Sequence, residues 1–449
     1  MLDRHTQPGN VVATLKKHML ADGFEVIVDL EKSQGSWLVD HRDGRKYVDF
    51  FTGVASMPIG YNHPKMANDD VIRHLGRIAL NKPSNSDLYS VEMADFVETF
   101  HRIAVPEHFK YSFFVEGGSV AVENAVKAAF DWKVQKNFAR GYTPERGYAD
   151  GHGHQVIHFR EAFHGRTGYS LSMTNTDPTK YRWFPKFHWP RVSNPKAIFP
   201  LEGENLQATI AAEERTVREI RDAVARNRDD IAAIILEPIQ GEGGDNHFRA
   251  EFFQALRQLA DEHEFLFIVD EVQTGVGLTG QWWAHQNYGV KPDLLTFGKK
   301  MQVCGVLAGP RLDEVETNVF RVSSRINSTW GGNLIDMVRA RLYLEIIQEE
   351  KLIDHARTEG AYLIERLRRM SAEMPGVFGN VRGQGLFCAL DLLPPTDRKR
   401  VLDAAWKEGL ILLPSGERSL RFRPALNIPR ALLDEGLARF QAAVRSALV

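Results

Sequence analysis

Two residues of opposite charge, each at the end of an apolar run, are the groups in this chain best suited to chemistry. Phe265-Leu266-Phe267-Ile268-Val269 reads as a buried strand, and Asp270-Glu271-Val272-Gln273 stands where that strand emerges. Further on, Asp293-Leu294-Leu295-Thr296-Phe297-Gly298 runs into Lys299. In an open α/β sheet, ligands bind at the carboxyl ends of the strands. A lysine delivered there can hold an aldehyde as a Schiff base, and an aspartate can keep a pyridine nitrogen protonated so that the ring accepts electrons. Those two functions together are what a pyridoxal 5'-phosphate site requires.

Other stretches gain weight in that company. Glu116-Gly117-Gly118-Ser119 follows the run ending at Val115 and opens a helical stretch from Val120 to Asn137. Small residues there let backbone N–H groups approach an anion at the positive helix end. Alone, the stretch reads more readily as an N-capped helix after a tight turn. Ala162-Phe163-His164-Gly165-Arg166-Thr167-Gly168 follows Val156 to Phe159, so Phe163 can stack on a flat ring and Arg166 can grip a carboxylate. The same residues also suit a plain surface loop. Glu242-Gly243-Gly244-Asp245 reads as an acidic residue on a flexible loop, or as a solvated turn. Arg421 and Arg423 lie two apart in Leu420-Arg421-Phe422-Arg423-Pro424, hence on one side of a strand, where they form a carboxylate clamp or a solvated basic face.

Two further patterns are set aside. Gly275-Val276-Gly277-Leu278-Thr279-Gly280 matches G-x-G-x-x-G, the mark of an NAD-dependent oxidoreductase. That fingerprint also needs an acidic residue about 20 positions on, where this chain has Lys300. His152, His154 and His158 lack a nearby cysteine and a compact spacing, so no metal is expected.

Positioning these groups takes a layered fold. Ser112 to Val115, Val156 to Phe159, Ile231 to Leu236 and Phe265 to Val269 are strand-like runs interleaved with helical stretches, which indicates a mainly parallel sheet covered on both faces. Val26 to Phe51 reads as an antiparallel meander with its turn at Asp40 to Arg45. Residues from Leu334 to about Met374 look helical, and a smaller α+β unit then closes with the amphipathic stretch Ala431 to Leu448. At 449 residues, 43% hydrophobic and 25% charged, the chain has the composition of an ordinary globular protein large enough for two domains. A net charge of -2 argues against nucleic acid, and two cysteines, Cys304 and Cys388, suit a reducing compartment, hence the cytoplasm. Met1-Leu2-Asp3-Arg4-His5 lacks the pattern of a signal peptide, and no apolar run approaches a membrane span.

Together the motifs resemble the class III pyridoxal phosphate-dependent aminotransferases, from Gly53-Val54-Ala55 to the Arg421 strand. The most specific piece is Asp270-Glu271-Val272-Gln273-Thr274-Gly275 followed by Pro292-Asp293 and Gly298-Lys299. The resemblance implies an α/β fold of fold type I. A large cofactor-binding domain would span 66–333, and a small α+β domain would be built from the N-terminal segment 1–65 and the C-terminal 334–449. Stretches 81–87, 114–118, 240–245 and 327–333 look closer to the lysine ω-aminotransferase branch than to the ornithine or 4-aminobutyrate branches, which stand as the alternatives, with an NAD-dependent oxidoreductase far behind.

By that resemblance, Lys299 is the Schiff-base lysine and proton carrier, Asp270 the partner of the pyridine nitrogen and Gln273 the partner of the ring hydroxyl. Phe163 and Val272 would sandwich the ring. Gly118 and Ser119 would hold the phosphate, joined by Thr329 from a second subunit, so a homodimer with shared active sites is expected. Arg166, Glu242, Asn327 and Arg421 would bind substrates: L-lysine, 2-oxoglutarate and glutamate. Lysine brings its terminal amine to the cofactor with its carboxylate several carbons away, whereas glutamate and 2-oxoglutarate bring a carboxylate directly beside the reacting carbon. A fixed buried arginine left unpaired there when lysine binds is expensive. The family answer is a switch in which Glu242 pairs with Arg421 for lysine and moves away for the keto acid. The product of lysine would be 2-aminoadipate 6-semialdehyde. The chain departs from many relatives in having Glu116-Gly117-Gly118-Ser119 in place of Ser-Gly-Thr or Ser-Gly-Ala, and in lacking glycines just after the lysine pair. Lys299 follows Gly298 as in relatives, and the adjacent Lys300 stands as the alternative.

Overall fold

A computed structural model describes residues 6–143, 152–227 and 229–448. Met1 to His5, assessed above for a leader, lie outside the described residues. Three strands, β6 (Ile231–Leu236), β7 (Leu266–Asp270) and β8 (Leu294–Phe297), are buried at every position. Their apolar residues face two layers in alternation, as the period of a strand demands. Ala233, Ile235, Leu266 and Ile268 pack with Val122, Ala125, Val126 and Trp132 of the helix Gly118–Ala139. On the other face Ile234, Leu236, Phe267 and Val269 pack with Ile220, Phe252, Phe253 and Leu256 of the helices Gly203–Arg226 and Ala250–Glu262.

The seven-stranded sheet has the order β3-β9-β8-β7-β6-β4-β5, where β3 is Tyr111–Val115, β4 Gln155–Phe159, β5 Arg191–Val192 and β9 Cys304–Ala308. Strands β5, β4, β6, β7 and β8 are parallel. The exception is β9, antiparallel to both β3 and β8. Its run directly follows the Lys299 turn, so the chain reverses at the sheet edge instead of crossing over.

Strands from the two ends of the chain share a sheet. β1 (Trp37–Val39) pairs antiparallel with β2 (Lys46–Asp49) around the expected Asp40–Arg45 turn, and β2 pairs in parallel with β12 (Leu410–Ile411). A four-stranded antiparallel sheet, β10 (Phe378–Gln384), β11 (Phe387–Leu392), β14 (Ser419–Phe422) and β13 (Leu413–Ser415), brings Arg421 opposite Ala389. One apolar core joins Val48, Phe50, Phe100, Trp283, Leu363, Phe422 and Phe440, so the N-terminal, central and C-terminal segments are packed together. Among the described residues no helix is long and apolar enough to cross a membrane.

Candidate active site

Asp270 ends β7, is buried, and is held by three contacts that leave acceptor capacity over. Oδ2 lies 2.8 Å from His164 Nδ1, and Oδ1 accepts from Thr296 Oγ1 at 3.0 Å and from the Val272 amide at 3.1 Å. The neighbouring Glu271 has a different use. Its carboxylate accepts from Thr274 Oγ1, the Ala284 and His285 amides and pairs with His285 Nδ1, pinning the 271–285 loop. The glycines of the G-x-G-x-x-G match lie in that loop, with Gly277 against Leu426 and Ile353 and Gly280 against Arg357. They are packing positions and open no helix.

The two lysines part company over one turn. Lys299 has φ 48°, a left-handed conformation that costs a side-chain residue on the order of 1 kcal/mol, and it begins a short 3-10 turn. Gln302 Nε2 locks that turn by donating to the carbonyls of Ser56, Lys299 and Lys300. Lys300 is buried and donates to the carbonyls of Gln273 and Ala55. Among the described residues, Lys299 Nζ has no hydrogen bond or ion pair. Burial, then the nearby Arg421 guanidinium, push its pKa down to about 8, with Glu242, Asp270 and Glu237 opposing. Burial, then the Lys299 charge, also hold the Lys300 pKa well below the usual lysine value.

The glycine-rich turn after β3 forms the start of the 22-residue helix Gly118–Ala139. Gly118 is needed for close approach, since a Cβ there would meet Val272 Cγ1 at 2.9 Å. Ser119 Oγ lies 2.8 Å from Thr167 Oγ1 and accepts from the Arg166 and Thr167 amides, so hydroxyls and amides gather at the positive helix end. Gly165, at φ 132°, lets that loop fold against Ser119. The Arg166 side chain is exposed, and its charge acts on Asp177.

The Glu242 loop is fastened at several points and largely buried, with Glu242 itself half-buried. Gln240 and Asn246 close its neck by two backbone bonds at 3.1 Å, and Gln240, Asp245 and Asn246 are buried. Three residues far along the chain hold it: Arg423 pairs with Asp245, Arg382 donates to the Gly244 and Asp245 carbonyls, and Ser415 Oγ donates to Gly241. Arg423 is therefore committed, lying also 3.2 Å over the Phe387 ring, and the arginine strand is not a solvated face. Arg421 Nη2 donates to Glu242 Oε1 at 2.7 Å, while its Nε and Nη1 are buried without a partner among the described residues. Burial works against ionisation of Glu242, yet Arg421 and Lys180 hold its pKa down to about 2.

Thr329 and Asn327 lie on an exposed segment. The Thr329 carbonyl accepts from Ser86 Oγ at 3.1 Å, and Asn85 Nδ2 donates to Gly332 O at 3.0 Å, so the stretches 81–87 and 327–333 lie against each other. Of the three histidines, His152 sits against the Tyr142 ring and His158 is buried beside Asn175, where burial and His164 lower its pKa to about 3.

Three site residues escaped sequence reasoning. His164 was within a quoted motif, but its contact to Asp270 spans 106 positions. Glu237, just past β6, accepts from the Phe163 amide at 2.8 Å; burial and the Asp270 carboxylate raise its pKa well above the usual range. Lys180 lies in an irregular polar segment with no periodic signal.

Pyridoxal phosphate fits these residues. Lys299 offers a free amine, Asp270 a fixed carboxylate, Gln273 a buried Oε1 without a partner, and Ser119 an anion cradle at a long helix. Comparison with known proteins agrees: the aminotransferase class-III family matches residues 20–444. The chain belongs to that family, whose members are pyridoxal phosphate-dependent transaminases of fold type I. Within it, the chain is 50% identical to an L-lysine-epsilon aminotransferase of Mycobacterium tuberculosis over 446 residues, covering 99% of this chain and 96% of that protein. An L-lysine-epsilon aminotransferase of Streptomyces clavuligerus is 48% identical over 437 residues, covering 97% and 94%. The solved lysine aminotransferase from M. tuberculosis superposes with a TM-score of 0.93 at 51% identity, covering 99% of each chain.

Proposed function

We propose that this enzyme moves the terminal amine of L-lysine to 2-oxoglutarate, giving 2-aminoadipate 6-semialdehyde and glutamate in two half-reactions. The observation that carries the reading is the Glu242–Arg421 pair, with two further guanidinium donors buried and unpaired. Such an arginine can be neutralised from within when an amine enters and exposed when a carboxylate enters, which a transaminase with two unlike substrates needs. The similarity to lysine ε-aminotransferases at about half identity supports lysine as the amine donor.

When bound, pyridoxal phosphate supplies the aldehyde that takes up the amine and the ring that stores an electron pair. Lys299 Nζ would hold the cofactor and would serve as the base for the proton on the carbon bearing the amine; burial and Arg421 bring its pKa down to about 8, close to physiological pH. Asp270 holds the pyridine proton, oriented by His164 and Thr296. Gln273 would pair with the ring hydroxyl, and Phe163 and Val272 would lie against the ring. Gly118 and Ser119 take the phosphate together with Thr329 from a second copy of this chain. Arg166 grips the remote carboxylate and Asn327 contacts the substrate.

A homodimer follows from the Thr329 assignment. Its support is the exposed apolar surface around that segment: Leu80, Leu88, Tyr89, Val91 and Trp330 all face outward in one chain. The working division is a large unit over 66–333 flanked by a smaller one from 1–65 and 334–449, in the cytoplasm. The test is the half-reaction: L-lysine alone must convert the bound cofactor, and 2-oxoglutarate must restore it.

A further inference from the structure

Glu242 is gripped from two sides. While Oε1 takes Arg421, Oε2 accepts from Lys180 Nζ at 3.1 Å. Lys180 is itself held, with Nζ 3.4 Å from Thr176 Oγ1 and 5.0 Å from the centroid of the Phe163 ring, and its side chain is only 15% exposed. The backbone beneath Glu242 is fastened at several points. Its neck is closed, its Asp245 end is fastened by Arg423 and Arg382, and Gly416 N donates to the Glu242 carbonyl. A Cβ on Gly243 would collide with the Glu161 carbonyl and one on Gly241 with the Gln273 carboxamide, so the loop is wedged on both sides. A carboxylate that leaves Arg421 must therefore do so by rotation of its own side chain. A cavity of about 790 Å³ is lined by Glu242, Lys180, Thr176, Ser415 and Gly416 and by none of Lys299, Asp270 and Arg421, which gives the carboxylate room away from the reaction centre.

We propose that Lys180 is a positioning residue for the second half-reaction: it keeps hold of the Glu242 carboxylate after Arg421 has passed to a dicarboxylate substrate. The inference rests on the switch proposed above. With Lys180 present, opening the switch exchanges one of two ion pairs and leaves no unpaired carboxylate. Without it, Arg421 is the only cation paired with Glu242 among the described residues, and an incoming carboxylate must displace an anion that has room to turn but no second cation to receive it. L-lysine needs Glu242 on Arg421 and is served either way.

The test uses holoenzyme carrying Lys180→Met or Lys180→Arg, alone and with Glu242→Ala. Calorimetry measures binding of glutarate, a five-carbon dicarboxylate without the reacting carbonyl, and rapid mixing follows single turnovers with L-lysine and with 2-oxoglutarate. In Lys180→Met, glutarate and 2-oxoglutarate bind about fivefold more weakly, the order expected for one partly exposed ion pair, while the lysine half-reaction stays within about twofold. Lys180→Arg restores binding. In the Glu242→Ala background, Lys180→Met changes glutarate binding no further. A loss that persists in that background assigns Lys180 to direct contact with the dicarboxylate and overturns the proposal, as does an equal loss with lysine. If Glu242→Ala separates the half-reactions and Lys180→Met does not, the Lys180 assignment alone falls; if Glu242→Ala does not separate them, the switch itself falls.

Discussion

Glu242→Ala should damage the two half-reactions very unequally. The fall of the Glu242 pKa from 4.5 to about 2 corresponds to roughly 3 kcal/mol of preference for its ionised form beside Arg421 and Lys180. Removing one partner of a buried pair costs about 3–5 kcal/mol because the other charge is left behind. Glu242 retains 24% of its side-chain exposure and Arg421 only 6%, so the lower end applies. When L-lysine occupies the variant, Arg421 faces an uncharged stretch of substrate without a counter-ion. At about 1.4 kcal/mol per power of ten, the lysine half-reaction should lose about 100-fold in kcat/KM. The keto acid brings its own carboxylate to Arg421 and no longer competes with Glu242, so that half-reaction should hold within about threefold. Rapid-mixing absorbance of the bound cofactor, with one substrate at a time, reads both. Equal losses would refute the reasoning, because Glu242 would then be structural support for both substrates.

Three other outcomes follow from the site. Lys299→Ala should retain the fold and lose turnover, whereas Lys300→Met should lower the thermal midpoint by a few degrees, since two buried carbonyls lose their donor at about 1–3 kcal/mol; turnover surviving in Lys299→Ala would move the chemistry to Lys300. Capture of pyridoxal phosphate by the apoprotein needs the neutral amine, so its rate should rise with pH and reach half its maximum near 8; a midpoint near the ordinary lysine value of 10.5 would contradict the burial of Lys299. Glu242 has a depressed folded-state pKa, so the stability it contributes is present above pH 4.5 and is lost as pH falls towards about 2; urea midpoints of the native protein should drop across that window more steeply than those of Glu242→Gln.

The central strands were legible because they are apolar on both faces, and that pattern also located Asp270 and Lys299 at their ends. Cys304 to Ala308 was not recognised as an antiparallel strand, since a short apolar run carries no sign of its direction. The Glu242 loop looked solvated because its glycines and acids are polar in composition; what buries it are Arg382, Ser415 and Arg423, more than 130 positions away. The choice between Lys299 and Lys300 depended on how one 3-10 turn directs two consecutive side chains, which spacing alone does not encode. His164, Glu237 and Lys180 became visible only where distant segments meet around Asp270 and Glu242.

The measurement closest to the central claim is the visible spectrum of the purified holoenzyme, titrated with L-lysine in the absence of any keto acid. The absorbance of the bound cofactor should be lost with L-lysine and return with 2-oxoglutarate. A cofactor that ignores L-lysine but responds to ornithine or 4-aminobutyrate would contradict lysine as the substrate, and a protein that takes up no pyridoxal phosphate would contradict the site.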